Sequence, residues 1–275
     1  PEEATRDDLL SRLVECYDES GGRPTTRIAG FPLGPIGTAA LPLLLAELRS
    51  THFPGEAKRE RPKIKAEGYI ILQRPGTEEE ERAFWASTDG GEAAEVVDLE
   101  EEAEVAEEEE APSDDHAQET AASPTRSSTY VRGSGSTKAR LALAKLYRHR
   151  TVWQLAYSIL AETDPTYAER YTAIAVTKQF TGSPHIDTEN VAPFYGLSLG
   201  KFTGGFINVE AHDGMRVYEV DTYERLGKVD GRHPHWVSPH EGERYSIIYY
   251  QTSGEVVPTG QSVFADEQPE SERRL

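Results

Sequence analysis

Cysteine is nearly missing from this sequence: Cys16 is the only one in 275 residues. A lone thiol excludes an internal disulfide framework and suggests a reducing compartment. It also excludes any metal site built on clustered thiolates, so a metal here must be held by His, Asp and Glu. Long apolar runs are missing too. "ALPLLLAEL" (residues 40–48) is far short of the ~20 residues that cross a bilayer. Hydrophobic residues make up only 37%, so part of the chain is expected to lie outside any packed core. No signal-peptide pattern follows Pro1, and a start on Pro1 rather than Met leaves open whether the chain is a fragment, so targeting is not read from it.

Positive charge is scarce, but only locally. Of 48 acids, 19 lie between Glu78 and Glu119, where Arg82 is the one base, giving −18 out of a net −19. The remainder is nearly neutral. The acidic balance therefore belongs to one segment and does not exclude a nucleic-acid partner. That segment is biased and poor in aromatics, so residues 76–125 are expected to be a disordered insertion. Beyond it the sign reverses. No acid occurs from Thr120 to Ala161, while Lys138, Arg140, Lys145, Arg148 and Arg150 do.

Helical spacing marks residues 4–20 and about 38–49. It also marks residues 136–163, read as one long helix or two joined. "EGYIILQR" (residues 67–74) reads as a buried strand. From Arg170 short β-like runs follow one another: "RYTAIAVTKQF", "PFYGLSLGKF", "GGFINVE", "MRVYEV", "HWVS" and "ERYSIIYYQT". Gly, Pro and Asp-Gly punctuate them as in a β-sandwich or barrel. The outline is α+β, with residues 1–75 a helical support region and residues 126–252 a β-core with its preceding helices. Residues 253–275 are expected to be a tail.

Two short runs carry chemistry. "GSPHIDTEN" (residues 182–190) sets His185 and Asp187 two apart. That spacing puts both on one face if the strand from Arg170 runs on through the turn. "DGRHPHWVSPHEGERYS" (residues 230–246) supplies His235, then Arg244 and Ser246, again two apart. Two histidines and a carboxylate form a facial triad that leaves adjacent positions open on an octahedral iron(II). His233 shares the spacing of His235 and stays open as an alternative ligand. His240, read as a loop residue, is too close to Arg244 to serve. An arginine inside an apolar strand is costly unless it meets an anion, and its planar fork suits a carboxylate.

These runs, together with "YGLSLGKFTGGFINV" and "RYSIIYY", resemble the iron(II)/2-oxoglutarate-dependent dioxygenases, and within them most nearly the TET/JBP-type nucleic-acid base oxygenases. The resemblance covers roughly residues 170–252. It implies a double-stranded β-helix (jelly-roll) core in the C-terminal half with supporting N-terminal helices. It implies iron(II) on His185, Asp187 and His235, with 2-oxoglutarate on Arg244 and Ser246 and O2 as the oxidant. The final strand, "IIYYQT", lacks the second arginine that a DNA-repair dioxygenase of the AlkB type would carry. No cysteine-rich zinc module is present. The activity implied is oxidation of a methylated pyrimidine in DNA, in the nucleus if DNA is the substrate. A hydroxylase of a protein side chain or small metabolite, and a non-catalytic interaction module, are the alternatives. Lys178, Asn190 and Tyr195 are candidate substrate residues. Lys138, Lys145 and Arg148 are candidate phosphate contacts, seven and three apart along one helix.

Overall fold

The computed structural model of the protein describes residues 23–53, 66–86 and 137–265. The expected helix over residues 4–20 and the acidic tract beyond residue 86 lie outside the described residues. The chain divides into two compact units: Pro1–Gln73 with His149–Leu275, and Arg74–Arg148.

The first unit is built on two sheets. The larger runs in the order β11 (Val263–Phe264), β8 (Arg225–Val229), β5 (Phe194–Gly204), β10 (His240–Tyr250), β4 (Ala173–Lys178) and β3 (Gly68–Gln73), with β2 (Phe31–Pro32) also pairing β8. The smaller runs β1 (Thr25–Ala29), β7 (Val217–Asp221), β6 (Ile207–Glu210) and β9 (His235–Val237). Every pairing is antiparallel except β1 with β7. Phe194 and Val229 of the large sheet meet Ile207, Val209 and Val220 of the small one in a shared buried cluster. Each such side chain contributes roughly 1.5–3 kcal/mol on burial.

The period of two decides which residues look inward. Ser246 registers with Ser198 on β5 and Thr177 on β4, so Arg244, Ser246 and Thr177 share one face. Tyr245, Ile247 and Tyr249 take the other, and all three are buried. Helices cover that outer face. Tyr249 donates its hydroxyl to Ala156 O at 3.0 Å, on α4 (Arg150–Thr163). It also accepts at its carbonyl from the Tyr167 hydroxyl of α5 (Pro165–Ala168) at 3.1 Å. α1 (Pro35–Ser50) opens on a proline at its first position, where a missing N–H costs nothing. The next N–H groups, at Ile36 and Gly37, donate to the Glu162 carboxylate at 3.0 and 2.7 Å, so α4 caps α1.

The second unit holds α2 (Glu78–Ala86) and α3 (Thr137–Arg148). At the start of α2, Glu80 N donates to Thr77 Oγ1 at 3.2 Å and Thr77 N donates to the Glu80 carboxylate at 3.1 Å, a reciprocal cap. Phe84 is fully buried, with its ring edge-on to that of Tyr147 on α3 at 5.4 Å between centroids. The acidic insertion therefore does not begin at residue 76. Its first turns are helical, because a cap and one aromatic anchor outweigh four glutamates that the helix N-terminus itself tolerates.

Other boundaries need correction as well. The region 1–75 is more than helical support, since β1, β2 and β3 enter the two sheets. The tail expected from residue 253 returns to pair as β11. Of the two forms expected for residues 136–163 the structure shows the joined pair, with the break at His149, whose backbone leaves the helical region at φ −107°, ψ 31°.

Candidate metal centre

The strand expected to carry His185 and Asp187 stops early. β4 ends at Lys178, and Gln179 takes a left-handed backbone with φ 53°. The Gln179 amide then ties this corner to β10, donating to Gly242 O at 2.9 Å and accepting from Arg244 N at 2.8 Å. The following loop lies instead along the chain entering β9. His185 and His235 exchange both backbone hydrogen bonds, at 3.0 and 2.9 Å, and Asp187 N donates to Gly231 O at 2.8 Å. The spacing of two still sets both side chains on one side, but against β9 rather than as an extension of β4.

Three ligand atoms converge there. Those of His185, Asp187 and His235 all lie within 4.8 Å of one another. His185 Nε2 stands 3.5 Å from Asp187 Oδ1, and His235 Nε2 stands 3.7 Å from Asp187 Oδ2. Each imidazole is anchored at its other nitrogen. His185 Nδ1 donates to Ser183 O at 2.9 Å and His235 Nδ1 donates to His233 O at 3.0 Å. Backbone carbonyls thus fix the tautomer and present both Nε2 lone pairs to a metal. Asn190 Nδ2 donates to Asp187 Oδ2 at 3.0 Å and holds the carboxylate in place. Phe194 packs its ring 5.5 Å from that of His235. Two neutral imidazoles and one carboxylate suit a divalent transition-metal ion, and this is the one such cluster among the described residues.

The same interior face holds a buried cation. Arg244 is 1% exposed. Its guanidinium donates to Ser246 Oγ at 3.2 Å and Gly205 O at 3.1 Å, and its Nε has no partner among the described residues. Phe202 lies 5.5 Å beneath it. Burial pulls its pKa down to about 10, with no carboxylate among the described residues to oppose that shift. Ser246 Oγ is in turn 2.6 Å from Thr177 Oγ1. A desolvated guanidinium with an orphaned donor beside two hydroxyls has the chemistry to hold a small carboxylate.

The remaining candidates separate. Lys178 and Tyr195 lie on the opposite face of the large sheet from Ser246, in register with Tyr245 and Tyr249. Lys178 Nζ pairs with the Glu67 carboxylate at 3.0 Å, and the Tyr195 hydroxyl donates to Asp164 Oδ2 at 2.8 Å. Neither is a wall of the metal centre. Asn190 belongs to it, though through Asp187. His233 turns its Nε2 to Gly260 O at 3.0 Å and is not part of the cluster. His240 is the first residue of β10 rather than a loop residue, and its Nε2 donates to Gln179 Oε1 at 3.1 Å. Lys138, Lys145 and Arg148 all fall on α3 in the second unit. Sequence reasoning missed Thr177, Gln179, Gly205 and Gly231. A Gly-Gly pair ahead of a strand was the one visible signal for Gly205.

No family model matches the sequence, and no curated protein matches it. Among solved structures, it is similar to an oxidoreductase of the 2OG-Fe(II) oxygenase family from Burkholderia pseudomallei, at 15% identity and a TM-score of 0.26 over 41% of this chain. It is also similar to NgTET1 in complex with 5mC DNA, at 16% identity and a TM-score of 0.27 over 46% of this chain. The matches span 57% and 52% of those two chains.

Proposed function

We propose that the protein is an iron(II)- and 2-oxoglutarate-dependent dioxygenase with a double-stranded β-helix core, oxidising a methylated pyrimidine in DNA. One observation carries the reading: the His-Asp-His cluster packs on Phe194, and the face of the large sheet that bears Phe194 also bears the buried Arg244 and Ser246. His185, Asp187 and His235 would hold iron, and three ligands leave coordination positions open on one side. Arg244 and Ser246 would take the far carboxylate of 2-oxoglutarate. With O2, the bound group supplies conversion of a C–H bond to C–OH, coupled to breakdown of 2-oxoglutarate to succinate and carbon dioxide.

The chain's own residues do the positioning. Ser183 O and His233 O hold the imidazoles, and Asn190 holds the carboxylate. Gly205 O and Ser246 hold the guanidinium fork that orients the co-substrate. Burial of that fork excludes water from the carboxylate it would bind, which strengthens the pairing. The DNA reading is supported by the motif resemblance and by α3, whose Lys138, Lys145 and Arg148 are cations on one helix without an acid.

The test is mass spectrometry of nucleosides from methylated DNA incubated with the protein, iron(II), 2-oxoglutarate and ascorbate. Oxidised methylpyrimidine with matching succinate is the expected result. Metal-dependent succinate without any altered nucleoside would move the substrate to a protein side chain or metabolite. No succinate under any condition would remove the enzyme reading.

A further inference from the structure

The turn "DGRH" (residues 230–233) ahead of His235 enters the function just proposed only through the His233 carbonyl, yet it touches two of the three metal-facing residues. Gly231 O accepts from Asp187 N at 2.8 Å, and His233 O accepts from His235 Nδ1 at 3.0 Å. The approach is close. A Cβ placed on Gly231 would stand 2.8 Å from Asp187 Oδ2. Movement of this turn therefore moves the Asp187 backbone and the His235 ring together.

What holds the turn is an ion pair with a buried carboxylate and a half-buried guanidinium. Asp230 is fully buried, and Arg232 meets it with a planar fork, Nε on Oδ1 and Nη2 on Oδ2, both at 2.8 Å. The backbone N–H of Arg232 adds a third bond to Oδ1 at 3.1 Å. Inside the turn, His233 N donates to Asp230 O at 3.1 Å. Arg232 has one nitrogen left, Nη1, and it donates to Val257 O. Val257 N in turn donates to Val191 O at 2.8 Å, next to the Asn190 that holds Asp187. Asp230 N donates to Ser262 O, and His233 Nε2 to Gly260 O. The segment 257–262 thus ties the two loops that bear the cluster.

Given the reading of His185, Asp187 and His235 as metal ligands, we infer that Arg232 is a positioning residue for the metal. It acts through the carbonyls of the turn it clamps, with residues 257–262 as the fixed anchor on the other side. An exposed ion pair would count for little. This one is buried at its carboxylate, bidentate and shares its third arm with the strap, so its geometry is transmitted rather than averaged. Partners at this remove from a metal typically change its affinity by about 10- to 100-fold.

The test titrates metal-free protein with cobalt(II), following calorimetry and the absorption of the bound ion, alongside thermal melting without metal. Arg232→Lys keeps a charge against Asp230 but cannot keep all three arms. The double variant Asp230→Asn/Arg232→Gln removes both charges and leaves no orphaned ion. Both variants are expected to fold without metal. The double variant should bind cobalt about 10- to 100-fold more weakly with an altered absorption band, and Arg232→Lys less severely. Wild-type affinity and band in the double variant would overturn the inference. So would failure of both variants to fold without metal, which would make Arg232 a residue of the fold alone. His185→Ala separates the underlying reading: if the folded wild type binds cobalt no better than this variant, the ligand assignment itself fails.

Discussion

Gly205 and Arg244 are fitted to each other. The glycine has φ 71°, its carbonyl accepts from Arg244 Nη2, and a Cβ there would stand 2.7 Å from Arg244 Nε and 2.9 Å from Cδ. Both the backbone angle and the space demand glycine. Gly205→Ala should displace the guanidinium without touching the His-Asp-His cluster. Since about 1.4 kcal/mol is tenfold in affinity, the 2-oxoglutarate requirement should rise roughly tenfold or more while metal affinity holds. Co-substrate titration at saturating iron checks this, and an unchanged requirement would mean the guanidinium does not bind the co-substrate.

Arg244 itself is a charge buried without a counter-ion among the described residues, and its burial holds its pKa down to about 10. Such a charge costs the empty protein stability, so two substitutions should part company. Arg244→Lys replaces the planar fork with a point ammonium and should weaken 2-oxoglutarate binding while leaving iron in place. Arg244→Met should abolish that binding yet leave stability unchanged or raised by up to about 2 kcal/mol. Urea unfolding of the metal-free protein reads the second effect. A strong loss of stability in Arg244→Met would show that its bonds to Ser246 and Gly205 outweigh its desolvation.

His233 and His235 are two apart, and only His235 turns toward Asp187. His235→Ala, like His185→Ala or Asp187→Ala, should remove metal binding and succinate production together. His233→Ala should keep the site, because its carbonyl, not its ring, touches His235. Metal content of the purified variants distinguishes them, and metal missing only from His233→Ala would reverse the assignment.

The parts of the site that a strand's period encodes were legible in the sequence. Arg244 and Ser246 are on one face of β10 because residues two apart must be. The convergence of residues 185–187 with 235 was legible as motif order but not as geometry, since Gln179 ends β4 by a left-handed turn that no glycine announces. β8 escaped notice because its "RLGKV" has Gly227 where alternation would place an apolar residue. That glycine is needed: a Cβ there would meet Thr222 and Val220 at 2.7 Å. β1 escaped because its residues are mostly exposed and its parallel partner β7 is nearly 200 residues away. Local pattern cannot report such a pairing.

Asp164 caps α5 and also joins that helix to the large sheet. It accepts from Tyr167 N at 2.9 Å, from the Tyr195 hydroxyl at 2.8 Å and from Lys228 Nζ at 3.3 Å. Burial alone would raise its pKa, but these donors together hold it below the ordinary carboxylate value. A depressed folded pKa means stability that is present above the unfolded pKa and is lost as pH falls through the folded one. Asp164→Asn should therefore cost about 1–2 kcal/mol at neutral pH. The gap to wild type should close in acid, below the usual carboxylate range. Denaturant unfolding from pH 7 down to about pH 2, past the ordinary carboxylate pKa of about 4, gives the comparison; a gap independent of pH would assign the loss to packing instead.

The DNA reading makes the most exposed claim. A methyl group on a base within a duplex is screened by its neighbours, so the base must be flipped out or taken from a single strand. Unstacking costs about a few kcal/mol, which cation–phosphate pairing can offset. Such pairing needs cations, and α3 offers Lys138, Lys145 and Arg148 along twelve residues without an acid. Neutralising all three should weaken DNA binding and flatten its salt dependence, by about one in log–log slope for each phosphate no longer neutralised. Cobalt and 2-oxoglutarate binding should not change, since their ligands are on other elements. Wild-type affinity and slope in the triple variant would take the phosphate-binding role away from α3. A wild type that binds no DNA even at low salt would take away the nucleic acid, while the oxygenase reading would still stand on the succinate it produces.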